Sequence, residues 1–238
     1  MEKNIRMKVL IDPKGNRYYW DKGDFHSLFG VIKEKDIING VVKSHLGKEF
    51  IVFDSSFVDK LNKIKRGPAV MLPKDIGLIL SYTGINSKSK IVDAGSGCGV
   101  LVSFLGNISN NVTSYEKNKE FYELTKKNLE FLDIKVKLKN NDIYEGISER
   151  DLDLITLDLN EPGKVLEHAN ESLKSGGFLV CYLPNINQVE KLVKEAKGFY
   201  VERILENIER EWIVDEKRLR PRNMIIGHTG WLVFLRKV

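Results

Sequence analysis

The sequence predicts an α/β fold: a doubly wound sheet that ends in an antiparallel strand pair and follows a small β-rich domain. Three observations predict it. From about residue 67, short apolar runs alternate with amphipathic helical stretches, the pattern of a parallel sheet covered on both faces. Near the end, two long β-like runs follow one another with no helix between them. Before residue 67 the apolar runs are short, basic and separated by turns. The expected domains are therefore 1–66 and 67–238.

The elements follow in order. MKVLID (7–12) reads as a strand, Pro13 to Asn16 as a turn, and RYYW (17–20) as a second strand. EFIVFD (49–54) is a further strand after the Gly47 turn, and FVDKLNKIK (57–65) closes the small domain as a helix. KDIGLILSYTG (74–84), NKEFYELTKKNLEFL (118–132), GKVLEHANESLK (163–174) and NQVEKLVKEAKG (187–198) are helical. Between them, IVDAG (91–95), NVTSYE (111–116), LDLITLDL (152–159) and GFLVCYL (177–183) are strands of the buried kind. YVERILENIEREWIV (200–214) and HTGWLVFLRKV (228–238) form the antiparallel pair, joined by a basic link.

Composition narrows the function classes. At 238 residues the chain buries a full core without staples. No apolar run approaches the roughly 20 residues of a membrane helix, so no membrane partner is expected. The start, MEKNIRMKVLID, carries charges where a signal peptide needs an apolar stretch. The only cysteines are Cys98 and Cys181, and no Cys/His pair has zinc spacing, so neither a disulfide framework nor a metal is expected and a reducing cytoplasm fits. Residues 1–66 hold 14 basic and 9 acidic residues, the remainder 24 of each, so the net +5 sits in the N-terminal quarter. Such a lobe suits a polyanion, and equally a solubilising surface.

The most informative local pattern is the loop after IVDA: Gly95-Ser96-Gly97-Cys98-Gly99, with Val100 opening a helix. Glycines let a backbone turn tightly and approach a ligand closely. The G-x-G-x-G spacing, preceded by Asp93, is shorter than the G-x-G-x-x-G of a pyrophosphate turn. It suits a smaller, zwitterionic ligand. Glu116 ends the next strand, 21 residues after Gly95, where a carboxylate can accept from two ribose hydroxyls. Asn141-Asp142 follows the third strand, where Asp142 can accept from an adenine amine.

These features resemble class I S-adenosylmethionine-dependent methyltransferases. The resemblance implies that Gly95, Ser96, Gly97, Cys98 and Gly99, flanked by Asp93 and Val100, hold the methionine end of that cofactor. Glu116 then holds the ribose, and Asn141 and Asp142 the adenine. Four further segments narrow it: DPKGNRYYW (12–20) with GDFHSLFGVI (23–32) and DIING (36–40), RGPAVMLPKDIGLIL (66–80), LDLNEP (157–162), and RPRNMIIGHTGWLVFLRK (220–237). Together they resemble the tRNA (adenine-N1)-methyltransferase family that modifies adenosine 58 of the T-loop, archaeal members often also adenosine 57. The resemblance implies a tRNA partner, a homotetramer, and Lys74 on the substrate side. Two positions depart from the family pattern. Leu72 stands where an aromatic or His precedes Pro-Lys-Asp, and Gly163 stands where Trp follows Glu-Pro.

Adenine N1 has an in-plane lone pair and needs no deprotonation, so catalysis consists mainly of alignment and exclusion of water. Methylation leaves positive charge on N1 and the exocyclic amine, and a carboxylate bonded to that amine stabilises it. Asp158, at the carboxyl end of the fourth strand, is the expected catalytic group and also borders the cofactor; the alternative is a strand-end cap. Tyr182 ends the fifth strand at the same edge, where stacking on a turned-out base and core packing are both compatible with its position. Lys217, Arg218, Arg220 and Arg222 crowd around Pro221 and suit phosphate contact or a solvated loop. His228 suits a strand-start hydrogen bond or substrate contact. Trp20, Trp212 and Trp231 read as core or subunit contact. Two rivals stand beside this reading: a non-catalytic tRNA-binding subunit, and a methyltransferase of the same fold for a small molecule or protein.

Overall fold

A computed structural model of the chain describes residues 7–67, 70–215 and 217–238. The charged start at 1–6, and Pro68 and Ala69 of the 66–80 segment, lie outside the described residues. The chain divides into two compact units, Met1–Ile64 and Lys65–Val238.

The first unit contains β1 (Lys8–Ile11), β2 (Arg17–Trp20), β3 (Phe25–Ser27), β4 (Gly30–Ile32), β5 (Gly40–Lys43), β6 (Glu49–Asp54) and α1 (Phe57–Leu61). The order β2-β1-β6-β5 makes one antiparallel sheet, and β3 and β4 form a separate hairpin. The β1–β2 turn is built by Asp12, whose buried carboxylate accepts from the backbone N–H groups of Lys14 and Asn16 and from the Tyr18 hydroxyl. Leu10, Ile32, Phe50 and Val52 are buried in the core of this unit. The helix expected over 57–65 stops at Leu61: a Ser56/Asp59 capping box starts it, and Asn62, a weak helix former, ends it.

The second unit contains α2 (Pro73–Thr83), β7 (Lys90–Ala94), α3 (Val100–Ile108), β8 (Asn111–Tyr115), α4 (Lys119–Leu132), β9 (Lys137–Lys139), β10 (Leu152–Leu157), α5 (Leu166–Ser172), β11 (Leu173–Leu183), α6 (Ile186–Glu195), β12 (Phe199–Glu206), β13 (Trp212–Asp215), β14 (Arg218–Pro221) and β15 (Trp231–Lys237). Its seven-stranded sheet has the order β12-β15-β11-β10-β7-β8-β9. β9, β8, β7, β10 and β11 pair in parallel, and β15 lies antiparallel between β11 and β12. Side chains such as Ile155, Leu179, Val233 and Leu235 are fully buried in this core, each contributing about 1.5–3 kcal/mol.

The run 200–214 departs from expectation. It is not one strand: β12 ends at Glu206, and β13 pairs with β14 in a separate two-stranded ribbon. The interruption has a cause at Asn207, whose carbonyl accepts from the Lys74 ammonium while its side-chain amide donates to the Lys74 carbonyl. With its backbone carbonyl taken by a side chain, the ladder stops there. Trp212 therefore lies on the ribbon and is exposed rather than in a core.

Candidate functional site

The site is assembled where β7, β8 and β10 end. The Gly95 N–H donates to the Tyr115 carbonyl, and the Asp158 N–H to the Ala94 carbonyl. The loop then turns away through Gly95, Gly97 and Gly99, all at positive φ, and enters α3. Gly95 is sterically dictated, because a Cβ there would collide with the Asp158 carbonyl oxygen. The loop is held from α4. Thr125 Oγ1 donates to the Gly97 carbonyl at 2.9 Å, and Asn128 Nδ2 to the Cys98 carbonyl at 2.8 Å. Asn128 also exchanges two bonds with the Lys65 backbone.

These residues enclose an open cavity of about 410 Å³. Gly95, Gly97, Cys98, Glu116, Asn141, Asp142 and Asp158 line it, with Tyr144, Phe121 and Leu159 as apolar walls. A larger, shallower hollow of about 810 Å³ lies at the opposite, amino ends of the strands and holds none of the expected site residues. Open α/β sheets bind ligands at the carboxyl ends, which favours the smaller cavity.

Glu116 is buried at the cavity wall. Its Oε2 accepts from the Gly97 N–H at 3.0 Å and its Oε1 from the Asn118 N–H at 2.9 Å, which leaves one further lone-pair site on each oxygen. Asp142 accepts from the Tyr144 N–H and lies 3.5 Å from the Lys117 ammonium, while Asn141 stands beside it on the wall. Asp158 is exposed where it opens into the cavity, with protein packed densely around it; that partial loss of solvation, reinforced by the charge of Asp93, pushes its pKa up to about 6.

Four of the expected cofactor residues, Asp93, Ser96, Gly99 and Val100, do not line the cavity, and Gly99 packs against Thr125 of α4 instead. Asp93 is fully buried and accepts from Ser114 Oγ at 2.6 Å and Thr156 Oγ1 at 2.8 Å; burial pushes its pKa up to about 6. Ser96 is bonded to Ser114, and Val100 is buried in the first turn of α3. Asp153, at the other end of β10, is taken by the Lys90 N–H and the Lys174 ammonium.

On the substrate side, the β10–β11 register pairs Leu157 with Cys181, so Asp158 and Tyr182 stand level on neighbouring strands. The charges of Asp75 and Asp158 both act on the Tyr182 hydroxyl, and burial is the main cause of its raised pKa. Lys74 is only 4% exposed, and its ammonium donates to Asp75 Oδ1 (2.7 Å), the Asn207 carbonyl (2.6 Å) and Thr229 Oγ1 (2.7 Å). All three of its protons are thus used within the protein, and none is left for a ligand. His228 is strapped between Glu206 and the Pro184 carbonyl and tilts over Trp231. The arginines lie on the β13–β14 ribbon and its exit. Arg218 pairs with Asp215, Arg222 with Glu211, and Arg220 bonds Asn223.

Sequence reasoning missed Thr125, Asn128, Phe121 and Tyr144. A signal existed for the first two: both are polar on the inward face of α4, in line with Leu129 and Leu132. None marked Tyr144.

The cavity fits S-adenosylmethionine: the bare backbone of the glycine loop at one end, which a ligand can approach closely, an acceptor carboxylate in the middle, and an amide, a carboxylate and aromatic walls at the other. Comparison with known proteins agrees. Residues 65–226 match the family described as tRNA methyltransferase complex GCD14 subunit. The chain is 36% identical to the tRNA (adenine(57)-N(1)/adenine(58)-N(1))-methyltransferase TrmI of Methanocaldococcus jannaschii, over 96% of this chain and 94% of that protein. It is 34% identical to the tRNA (adenine(58)-N(1))-methyltransferase TrmI of Thermus thermophilus, over 96% of both. Among solved structures, a SAM-dependent O-methyltransferase from Thermotoga maritima superposes with a TM-score of 0.88 at 26% identity, covering 99% of this chain and 94% of that one. A glycine loop clamped to Glu116, a carboxylate facing the same cavity at Asp158, and a match over more than half the chain have one explanation: the chain belongs to the GCD14 family of tRNA methyltransferases.

Proposed function

We propose that the chain transfers a methyl group from S-adenosylmethionine to N1 of adenosine 58 in the tRNA T-loop, and to adenosine 57 as well. The observation that carries this reading is the similarity to enzymes so named across 96% of the chain, which includes the N-terminal unit and the Gly-His-Thr-Gly segment, not the cofactor fold alone.

S-adenosylmethionine supplies a methyl group already activated on a sulfonium. Gly95, Gly97 and Cys98 hold its methionine end, Glu116 its ribose, and Asn141, Asp142 and Tyr144 its adenine. The chain's other residues have the acceptor to manage. Asp158 accepts from the exocyclic amine of adenine, which orients N1 and stabilises the positive charge that methylation leaves there. That role needs the carboxylate ionised, so it operates above about pH 6. Tyr182, level with Asp158, meets the turned-out base. Lys74 contributes through the residues it holds. Arg218, Arg220 and Arg222, and the basic first unit, contact tRNA phosphates. Exposed Trp212, Val214 and Leu219 on the ribbon support association of copies, with a homotetramer as the proposed form, working in the cytoplasm where its tRNA substrate is found.

The test is incubation with an unmodified tRNA transcript and labelled S-adenosylmethionine, then digestion and mass analysis. N1-methyladenosine at positions 58 and 57 is the expected product; product at 58 alone would restrict the reading to that adenosine. An oxygen-methylated product, or none despite cofactor binding, would overturn the acceptor assignment.

A further inference from the structure

A buried polar cluster lies next to the acceptor side of the cavity, and the chemistry above leaves it without a task. It joins three elements of the second unit. Lys74 and Asp75 come from the first turn of α2, Asn207 from just past β12, and Thr229 from just before β15. Asp75 is 1% exposed; its Oδ1 accepts from Lys74 and its Oδ2 from Thr229 Oγ1 at 2.9 Å. An ion pair this deeply buried survives only when every donor and acceptor is satisfied. Here the ammonium has three acceptors and each carboxylate oxygen has a donor.

Thr229 is the outlet of this cluster. Its hydroxyl donates to Asp75 and accepts from Lys74, which ties the start of the backbone leading into β15 to the buried pair. The neighbouring residue acts on the same side chain. A Cβ at Gly230 would lie 2.7 Å from Tyr182 Cζ and 2.8 Å from Cε2, so the phenol ring packs directly against the bare backbone of Gly230. The Tyr182 ring therefore packs on a backbone that Thr229, tied to Lys74 and Asp75, holds in place. A tyrosine on a strand end otherwise has freedom about two side-chain torsions.

We propose that Thr229 and Gly230 are positioning residues that fix the Tyr182 ring beside Asp158, with the Lys74–Asp75 pair as the anchor that fixes Thr229. The inference rests on the reading that Tyr182 meets the acceptor base. A fixed ring presents a constant face, and alignment of reacting atoms is what this chemistry requires.

The test is a double-mutant cycle measured on tRNA. Thr229→Val keeps the side-chain shape and removes the hydroxyl. It should lower kcat by on the order of 10- to 100-fold, with less change in KM for tRNA and none in the dissociation constant for S-adenosylmethionine. Thr229→Ser should restore the rate. In a Tyr182→Ala background, Thr229→Val should have little further effect on kcat. Gly230→Ala leaves the ion-pair cluster intact and displaces the ring; it should reproduce the loss of kcat, and should add little in a Tyr182→Ala background. If Thr229→Val unfolds the protein, the Gly230 cycle decides alone. Losses that multiply independently of Tyr182, or a full rate in Gly230→Ala, would overturn the positioning role while wild-type turnover leaves the acceptor assignment standing. Absence of tRNA methylation by the wild-type chain would overturn both.

Discussion

The carboxylate of Glu116, at the end of one strand, accepts the backbone N–H of Gly97, in the loop after its neighbour, at 3.0 Å. The seat proposed for the ribose and the seat proposed for the methionine end are thus one hydrogen-bonded piece. Glu116→Gln preserves the shape and removes the charge. Charge-assisted hydrogen bonds contribute about 1.5–3 kcal/mol, so titration calorimetry should show S-adenosylmethionine bound at least about tenfold more weakly. Unaltered affinity would move the ribose elsewhere.

Asp158 should set the acid limb of the pH–rate profile. Its raised pKa, about 6, comes first from desolvation and second from Asp93. The active form is the carboxylate, so kcat should fall as pH drops through about 6 and be level above it. Asp158→Ala should lose most turnover and keep cofactor binding. A flat profile between about pH 5 and 8 would remove Asp158 from the chemistry.

Asn128 makes three bonds from one side chain, to both backbone groups of Lys65 and to the Cys98 carbonyl. Asn128→Ala leaves those buried groups unpaired, at about 1–3 kcal/mol. Thermal melting should shift down, and cofactor should recover part of the loss because it binds only the folded loop. A melting temperature equal to wild type would show that the loop is held without α4.

His228 should carry a pH-dependent share of stability. The Glu206 carboxylate first, and then the Pro184 carbonyl, accept from the ring and hold its pKa above the ordinary 6.5. The folded state therefore binds the proton more tightly than the unfolded chain. The contribution is complete below 6.5 and is lost as pH rises through the raised value. Melting curves across about pH 6 to 9 should decline more steeply for wild type than for His228→Gln. Parallel curves would rule out an imidazolium at this position.

The residues proposed to seat the cofactor could be picked out in the sequence because the pattern that marks them is local. Gly95, Gly97, Gly99 and Glu116 each follow a strand that hydrophobic patterning reveals, and sheet geometry brings strand ends together; the short strand before Asp142, Lys137–Lys139, has no such pattern. The clamps were not legible: Thr125 and Asn128 matter through bonds to a loop about thirty residues away in sequence, which periodicity alone does not disclose. Lys74 misled for the same reason. A lysine beside a ligand edge suits a substrate contact on sequence grounds, and only the fold shows its three protons already taken. The split of the 200–214 run likewise depended on Asn207 meeting Lys74, 133 positions away.

The place of β15 has a consequence for how the unit comes together. Among the described residues β12 pairs with no strand but β15, and β15 in turn is bounded by β11. The strand latest in sequence is therefore a splice between an edge and the body of the sheet. β12 is an orphan until β15 arrives, so the two are expected to zip as a hairpin and dock together, a long-range closure that is slow to form. A deletion reaching back from residue 238 through Thr229 would cost far more than one strand. It would strand β12 in solvent, bare the edge of β11 to other chains, and take away the backbone on which the Tyr182 ring packs.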